Sequence, residues 1–115
     1  MPPDRDPATV LDIVIAGRRI GEFVAGQSFE NFAADYKTQS AVLLQLLIIG
    51  EAAKRLSATF REEHPAIPWS DIMRMRDKLI HHYEDIDLNL IWKAIERNVP
   101  DLLAFLEPLL PATEP

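Results

Sequence analysis

Between Arg76 and Tyr83 the chain reads R-D-K-L-I-H-H-Y, which crowds an arginine, two adjacent histidines and a tyrosine together. The whole sequence has only three histidines and two tyrosines, so the crowding is local. A guanidinium stays charged and its fork of donors suits phosphate oxygens. An imidazole moves protons near neutral pH, a service commonly worth ~10²–10⁴ in rate. Together they suit chemistry at a phosphodiester, with Arg76 stabilising charge on the non-bridging oxygens and His81 handling a proton. Asp77 precedes His81 by one helical turn, where it can accept a ring N–H and fix the tautomer. Arg74, Lys78 and His82 thicken the positive charge and are candidate phosphate contacts.

Helical spacing decides which of these groups can meet. Arg76 and Tyr83 are seven apart and share a face, whereas His81 lies well round the helix from Arg76. Either the helix breaks near His81, or a second copy completes the site, as an antiparallel pairing about a two-fold axis would allow. Bland readings stand beside each role. Tyr83 continues the apolar stripe of its helix and fits a packed tyrosine equally well. His82 reads mainly as surface, Arg76 as a partner for a carboxylate, and His64, before Pro65, as structural. No histidine spacing forms a metal set, and no Gly-rich phosphate loop or nucleophile elbow appears. The expected list of metals and cofactors is therefore empty.

The elements that must hold this stretch read as helices. Asp6 is an N-cap candidate ahead of Pro7, and Val10, Ile13, Val14, Gly17, Ile20 and Val24 recur at helical spacing towards Gly26. Ser28 caps a short helix carrying Phe29 and Phe32. A third helix starts between Asp35 and Thr38 and is apolar on nearly every side from Ala41 to Ile49, as a surrounded helix would be. Gly50, Ala52 and Ala53 then admit a close neighbour, while Glu51 and Lys54 read as solvated charge. Ser57 caps another turn, and a fourth helix from Ser70 or Asp71 carries Ile72, Met75, Leu79, Tyr83 and Ile86 inward. Asp87 caps the last helix, in which Pro100 predicts a kink. The fold class is all-α, a compact bundle of four to five helices: one domain over 1–107 and a Pro-rich frayed tail over 108–115.

Composition narrows the function further. The 115 residues are 48% apolar and 26% charged, ordinary for a globular domain. There is no cysteine, which excludes disulfides and thiolate chemistry and points to a cytoplasmic protein, and the longest apolar run, Ala41 to Ile49 interrupted by Gln45, is too short to span a bilayer. A net charge of −6 argues against broad coating of nucleic acid and for a local basic patch.

The spacing Arg76, four residues, His81, one residue, Tyr83 resembles the R-x-x-x-x-H-x-Y signature of HEPN-domain proteins, specifically HepT-like ribonuclease toxins. The likeness extends through Ile49-Gly50-Glu51-Ala52-Ala53-Lys54-Arg55-Leu56, His64-Pro65, Ile67-Pro68-Trp69, Asp87 and Trp92. The resemblance implies a helical homodimer with the motif at its interface, acting as a metal-independent endoribonuclease on RNA. It implies Arg76 and His81 as catalytic positions and Asp77 and Tyr83 as supporting ones. It also implies a partner, an MNT-type nucleotidyltransferase antitoxin that transfers AMP to Tyr83. Asp77 stands where many members have asparagine, and Arg74 where many have glycine. The alternative is a non-catalytic HEPN-like module that binds nucleotide, RNA or its partner without cutting.

Overall fold

The computed structural model describes residues 3–111. Its helices are α1 (Asp6–Phe23), α2 (Phe29–Ala33), α3 (Tyr36–Arg55), α4 (Ala58–Glu63), α5 (Trp69–His81), α6 (Leu88–Lys93) and α7 (Val99–Leu106). A wide turn of π spacing over Ala94–Asn98 joins α6 to α7 into one long element. The four long elements are thus α1, α3, α5 and α6–α7, an all-α bundle with two short helices added. No described helix is long and apolar enough to cross a membrane.

Local chemistry explains most boundaries. Ser28 and Asn31 form a reciprocal capping box that starts α2. The Asp35 carboxylate accepts the Thr38 backbone N–H at 3.1 Å and so opens α3. Ser57 does the same for α4, and Asp87 for α6. Gly26 adopts a φ of 77°, the left-handed conformation that glycine takes without a steric penalty. Pro100 cannot donate a backbone N–H to the carbonyl four residues back, and the widened turn ends at Asn98, two residues before it. The disturbance predicted at this proline is therefore a local widening, with helix continuing on both sides.

Asp6 is not the N-cap that its place before Pro7 suggests. It is the first residue of α1, buried, and its carboxylate accepts the Ser57 N–H at 2.9 Å and the Ser57 hydroxyl at 2.6 Å. Two donors to one buried carboxylate make a strong tie between the start of α1 and the α3–α4 junction.

α3 lies centrally, with α1 on one side and α5 on the other, while α7 packs on α1. Ile13, Val14, Ile20, Val42, Ala52, Ala53, Ile91 and Leu106 are almost wholly excluded from solvent. Phe32 is fully buried, with its ring 5.3 Å from that of Trp92. Beyond α7, Glu107–Leu109 form one narrow turn and Leu110 rests against the core. Positions 112–115 of the expected tail lie outside the described residues.

Two expectations about helix faces are corrected. α3 is not enclosed on nearly every side: Leu44 is 55% exposed, and Leu43, Leu47 and Ile48 are only half-buried. In addition, α5 does not run on through Tyr83 to Ile86. It ends at His81, His82 leaves the helical region at φ −133°, and Tyr83–Asp85 form a separate narrow turn. Tyr83 is 69% exposed, so it is not a packed core tyrosine, and helical spacing no longer sets its face relative to Arg76.

Candidate active site

α5 comes very close to α3 at Gly50. A Cβ there would stand 2.2 Å from the Arg76 Cβ and 2.7 Å from its Cγ, distances that only a missing side chain permits. The G-E-A-A-K-R stretch of α3 therefore lies directly against the basic stretch of α5. Gly50 was placed by the sequence as a point of close approach, and Arg76 is the residue that takes advantage of it.

Once seated, Arg76 is held by two carboxylates. Its Nη2 pairs with Glu51 Oε2 at 2.5 Å, and its Nη1 donates to Asp77 Oδ1 at 3.0 Å. Lys54 Nζ donates to the same Asp77 oxygen at 3.1 Å, completing an alternating network between the two helices. The hydrogen bond to Asp77, with Glu51 adding to it, keeps the Arg76 guanidinium above its usual pKa. The same bond, followed by that from Lys54, holds the Asp77 carboxyl below its ordinary value. Exposed pairs contribute little to stability, about 0–1 kcal/mol, so the network's main effect is on position. The Arg76 Nε–H is buried and has no acceptor among the described residues, so these carboxylates do not exhaust its donors.

Glu51 and Lys54 are therefore not idle solvated charges; they tie α3 to α5 at the candidate site. The signal for this lay beside them. They are three residues apart on one helix face, adjacent to a glycine that admits a neighbour. Asp77 is also reassigned. Its oxygen is taken by Arg76 and Lys54, and no hydrogen bond joins it to His81 among the described residues. Two cationic donors, Arg76 and Lys54, already occupy that carboxylate oxygen.

His81 closes α5 and is exposed, as are His82 and Tyr83. Five residues of regular helix separate it from Arg76, a rotation of about 140° at 3.6 residues per turn. The structure thus gathers Arg76, Asp77, Glu51 and Lys54 where α5 faces α3, and leaves His81 about 140° round the helix from Arg76 and one turn beyond Asp77. Arg74 pairs with Asp71 at 3.2 Å and, with Lys78, lines a cleft towards α6 and α7. His64 is structural: its ring lies 4.4 Å from that of Phe60, and its carbonyl accepts Trp69 Nε1 at 3.1 Å. Among the described residues no three His, Asp or Glu side chains gather as a metal ion would need. What remains is a fixed guanidinium, a free imidazole and an exposed phenol on two successive turns.

Comparison with known proteins gives a consistent picture. The family model described as "Ribonuclease HepT-like" matches residues 13–109. The chain is 45% identical over 98 residues to a Thermococcus cleftensis protein named "Probable ribonuclease HepT", covering 85% of this chain and 89% of that one. It is 37% identical over 110 residues to a candidate RNase of Methanocaldococcus jannaschii, covering 96% and 91%. It is 46% identical over 81 residues to a candidate RNase of Caldanaerobacter subterraneus, covering 70% and 72%. No solved structure matches.

Proposed function

The chain belongs to the HepT-like ribonuclease family, and from that premise we propose that it is a metal-independent endoribonuclease acting as a homodimer. One observation supports the composite site: Arg76 and His81 occupy different faces of the last turns of α5, which disfavours closing both from one subunit on a single phosphate. Pairing two α5 helices about a two-fold axis offers the guanidinium of one copy the imidazole of the other. An apolar surface beside the site supports such a pairing. Leu44, Leu47 and Glu51 follow at three- and four-residue steps on α3, and Ile80 is 38% exposed one turn beyond Arg76.

In the reaction the ribose 2′-hydroxyl attacks phosphorus, the new P–O2′ bond forms and the P–O5′ bond breaks. The products are a 2′,3′-cyclic phosphate and a 5′-hydroxyl. His81 acts as general base or acid, a group from the other protomer handles the second proton, and Arg76 stabilises the phosphorane oxygens. Arg74, Lys78 and His82 contact the flanking backbone, and Asp77 positions Arg76. The partner in this reading is an MNT-type nucleotidyltransferase antitoxin, and the exposed Tyr83 hydroxyl is open to its AMP transfer. An anionic adduct there sits within two residues of His81 and would block the phosphate path.

A second reading, a non-catalytic binding module, has one observation in its favour: Glu51 and Asp77 already neutralise Arg76. A matched pair of substrates separates the two. With excess chelator present, the protein is expected to cut RNA, leave the equivalent DNA intact, and sediment as a dimer. His81→Ala should lose ~10²–10⁴ in turnover while still dimerising. Cleavage of DNA, loss of activity on chelation, or a monomer would contradict the proposal, and a binding module would lose little from the substitution.

A further inference from the structure

Arg74 and Lys78, assigned above to the flanking backbone, border a cleft whose other walls have no role in the composite site. α5 packs on α3, while α7 packs on α1. Between them lies an open cleft of about 380 Å³, large enough for a nucleotide-sized group. Its lining is largely apolar and includes Met75 from α5, Leu90 from α6 and Phe105 from α7, the last two exposed. Its rim carries Arg74, Lys78 and Lys93. Asp71 is already paired with Arg74, and Asp101 is the other carboxylate at the rim. Lys78 and Lys93 form no ion pair among the described residues. In a chain of net charge −6, this is a local excess of cations over an apolar, partly aromatic surface.

That combination is how proteins hold single-stranded nucleic acid: phosphates track the cations and bases lie on apolar or aromatic faces. Position argues the same way. Lys78 is three residues before His81, so the two lie on neighbouring turns of one face, and a strand leaving the imidazole meets the rim of the cleft next. We infer that this cleft is a strand-binding subsite for the RNA flanking the cleaved linkage, with a base over Phe105, Leu90 and Met75 and phosphates on Lys78 and Lys93. The inference deepens the ribonuclease reading and rests on it.

Binding and cleavage are therefore measured separately. The binding probe is a fluorescent 2′-O-methyl oligonucleotide of about eight residues, which cannot be cut by 2′-hydroxyl attack. The variants are Lys93→Glu and Phe105→Ala, with Arg19→Glu on the exposed face of α1 as a control for net charge. Phe105→Ala should weaken binding by about five- to tenfold, the loss of one base-stacking contact. Lys93→Glu should weaken it by about tenfold or more and lower the salt dependence of binding by about one counterion. Arg19→Glu should bind like the parent. Thermal melting confirms that each variant is folded, and sedimentation reports the oligomer. The inference is overturned if both cleft variants bind like the parent, if they change the oligomeric state instead, or if AMP alone binds as tightly as the strand. If the parent binds the strand but cuts no RNA, the ribonuclease reading fails and the subsite stands.

Discussion

Replacing Gly50 by alanine tests whether close helix approach is what places the candidate guanidinium. The added Cβ would meet the Arg76 Cβ at 2.2 Å, and relief to an ordinary carbon contact of about 3.5 Å requires a shift of about 1.3 Å. Both atoms sit next to the backbone, so no flexible side-chain end can yield and α5 as a whole must move. Overpacking costs about 1–3 kcal/mol, while exchanging glycine for alanine inside a helix returns about 1 kcal/mol. Net stability should therefore fall by no more than about 2 kcal/mol, a drop of roughly 4–8 °C in melting temperature per kcal/mol at most. Misplacing a reacting group by about 1 Å can cost ~10² in rate. The expected outcome is a folded protein, slightly less stable, whose ribonucleolytic kcat/KM falls about 100-fold. Gly21→Ala is the control: a Cβ there meets nothing within 4 Å, so it should gain about 0.5–1 kcal/mol and keep full activity. Parental kcat/KM in Gly50→Ala, or an equal loss in Gly21→Ala, would refute the reasoning.

Two further predictions concern the fold and its charges. Asp6→Ala leaves the buried Ser57 N–H without its acceptor, and urea unfolding should show a loss of about 1.5–3 kcal/mol, well above that of an exposed cap. Asp77 gives a pH dependence. Because its folded-state value lies below the ordinary 3.8, its stabilising effect is full above that value and fades as pH falls through the lower folded one. Carboxyl NMR should therefore place the Asp77 midpoint below 3.8 in the parent and move it upward in Lys54→Met, which removes one of its two donors. An Asp77 midpoint at the ordinary value would mean that the network does not persist in solution.

The sequence by itself determined the helices, because capping residues and three- and four-residue apolar steps are local properties. Ser28, Ser57 and Asp87 each cap the helix predicted for them, the third helix starts within its predicted bounds, and Ile91, Ile95, Val99, Leu102 and Leu106, at three- and four-residue steps, are buried. Given an unbroken helix, the five-residue spacing of Arg76 and His81 also sets their rotation, and α5 proves continuous between them where the sequence allowed a break near His81. What only the tertiary structure decided is what each charge touches. Glu51, Lys54 and Asp77 have solvated charge as their local reading, and whether they pair depends on which helix arrives opposite and at what distance. Asp6 was legible as a cap and is instead bound to a residue 51 positions away. Tyr83 continued an apolar stripe until the chain had to turn at His82 to bring α6 back across the bundle. Periodicity is written along one helix, whereas partners are set by the packing of several, and an exposed side chain such as Tyr83 is settled only by where the chain leaves the helix.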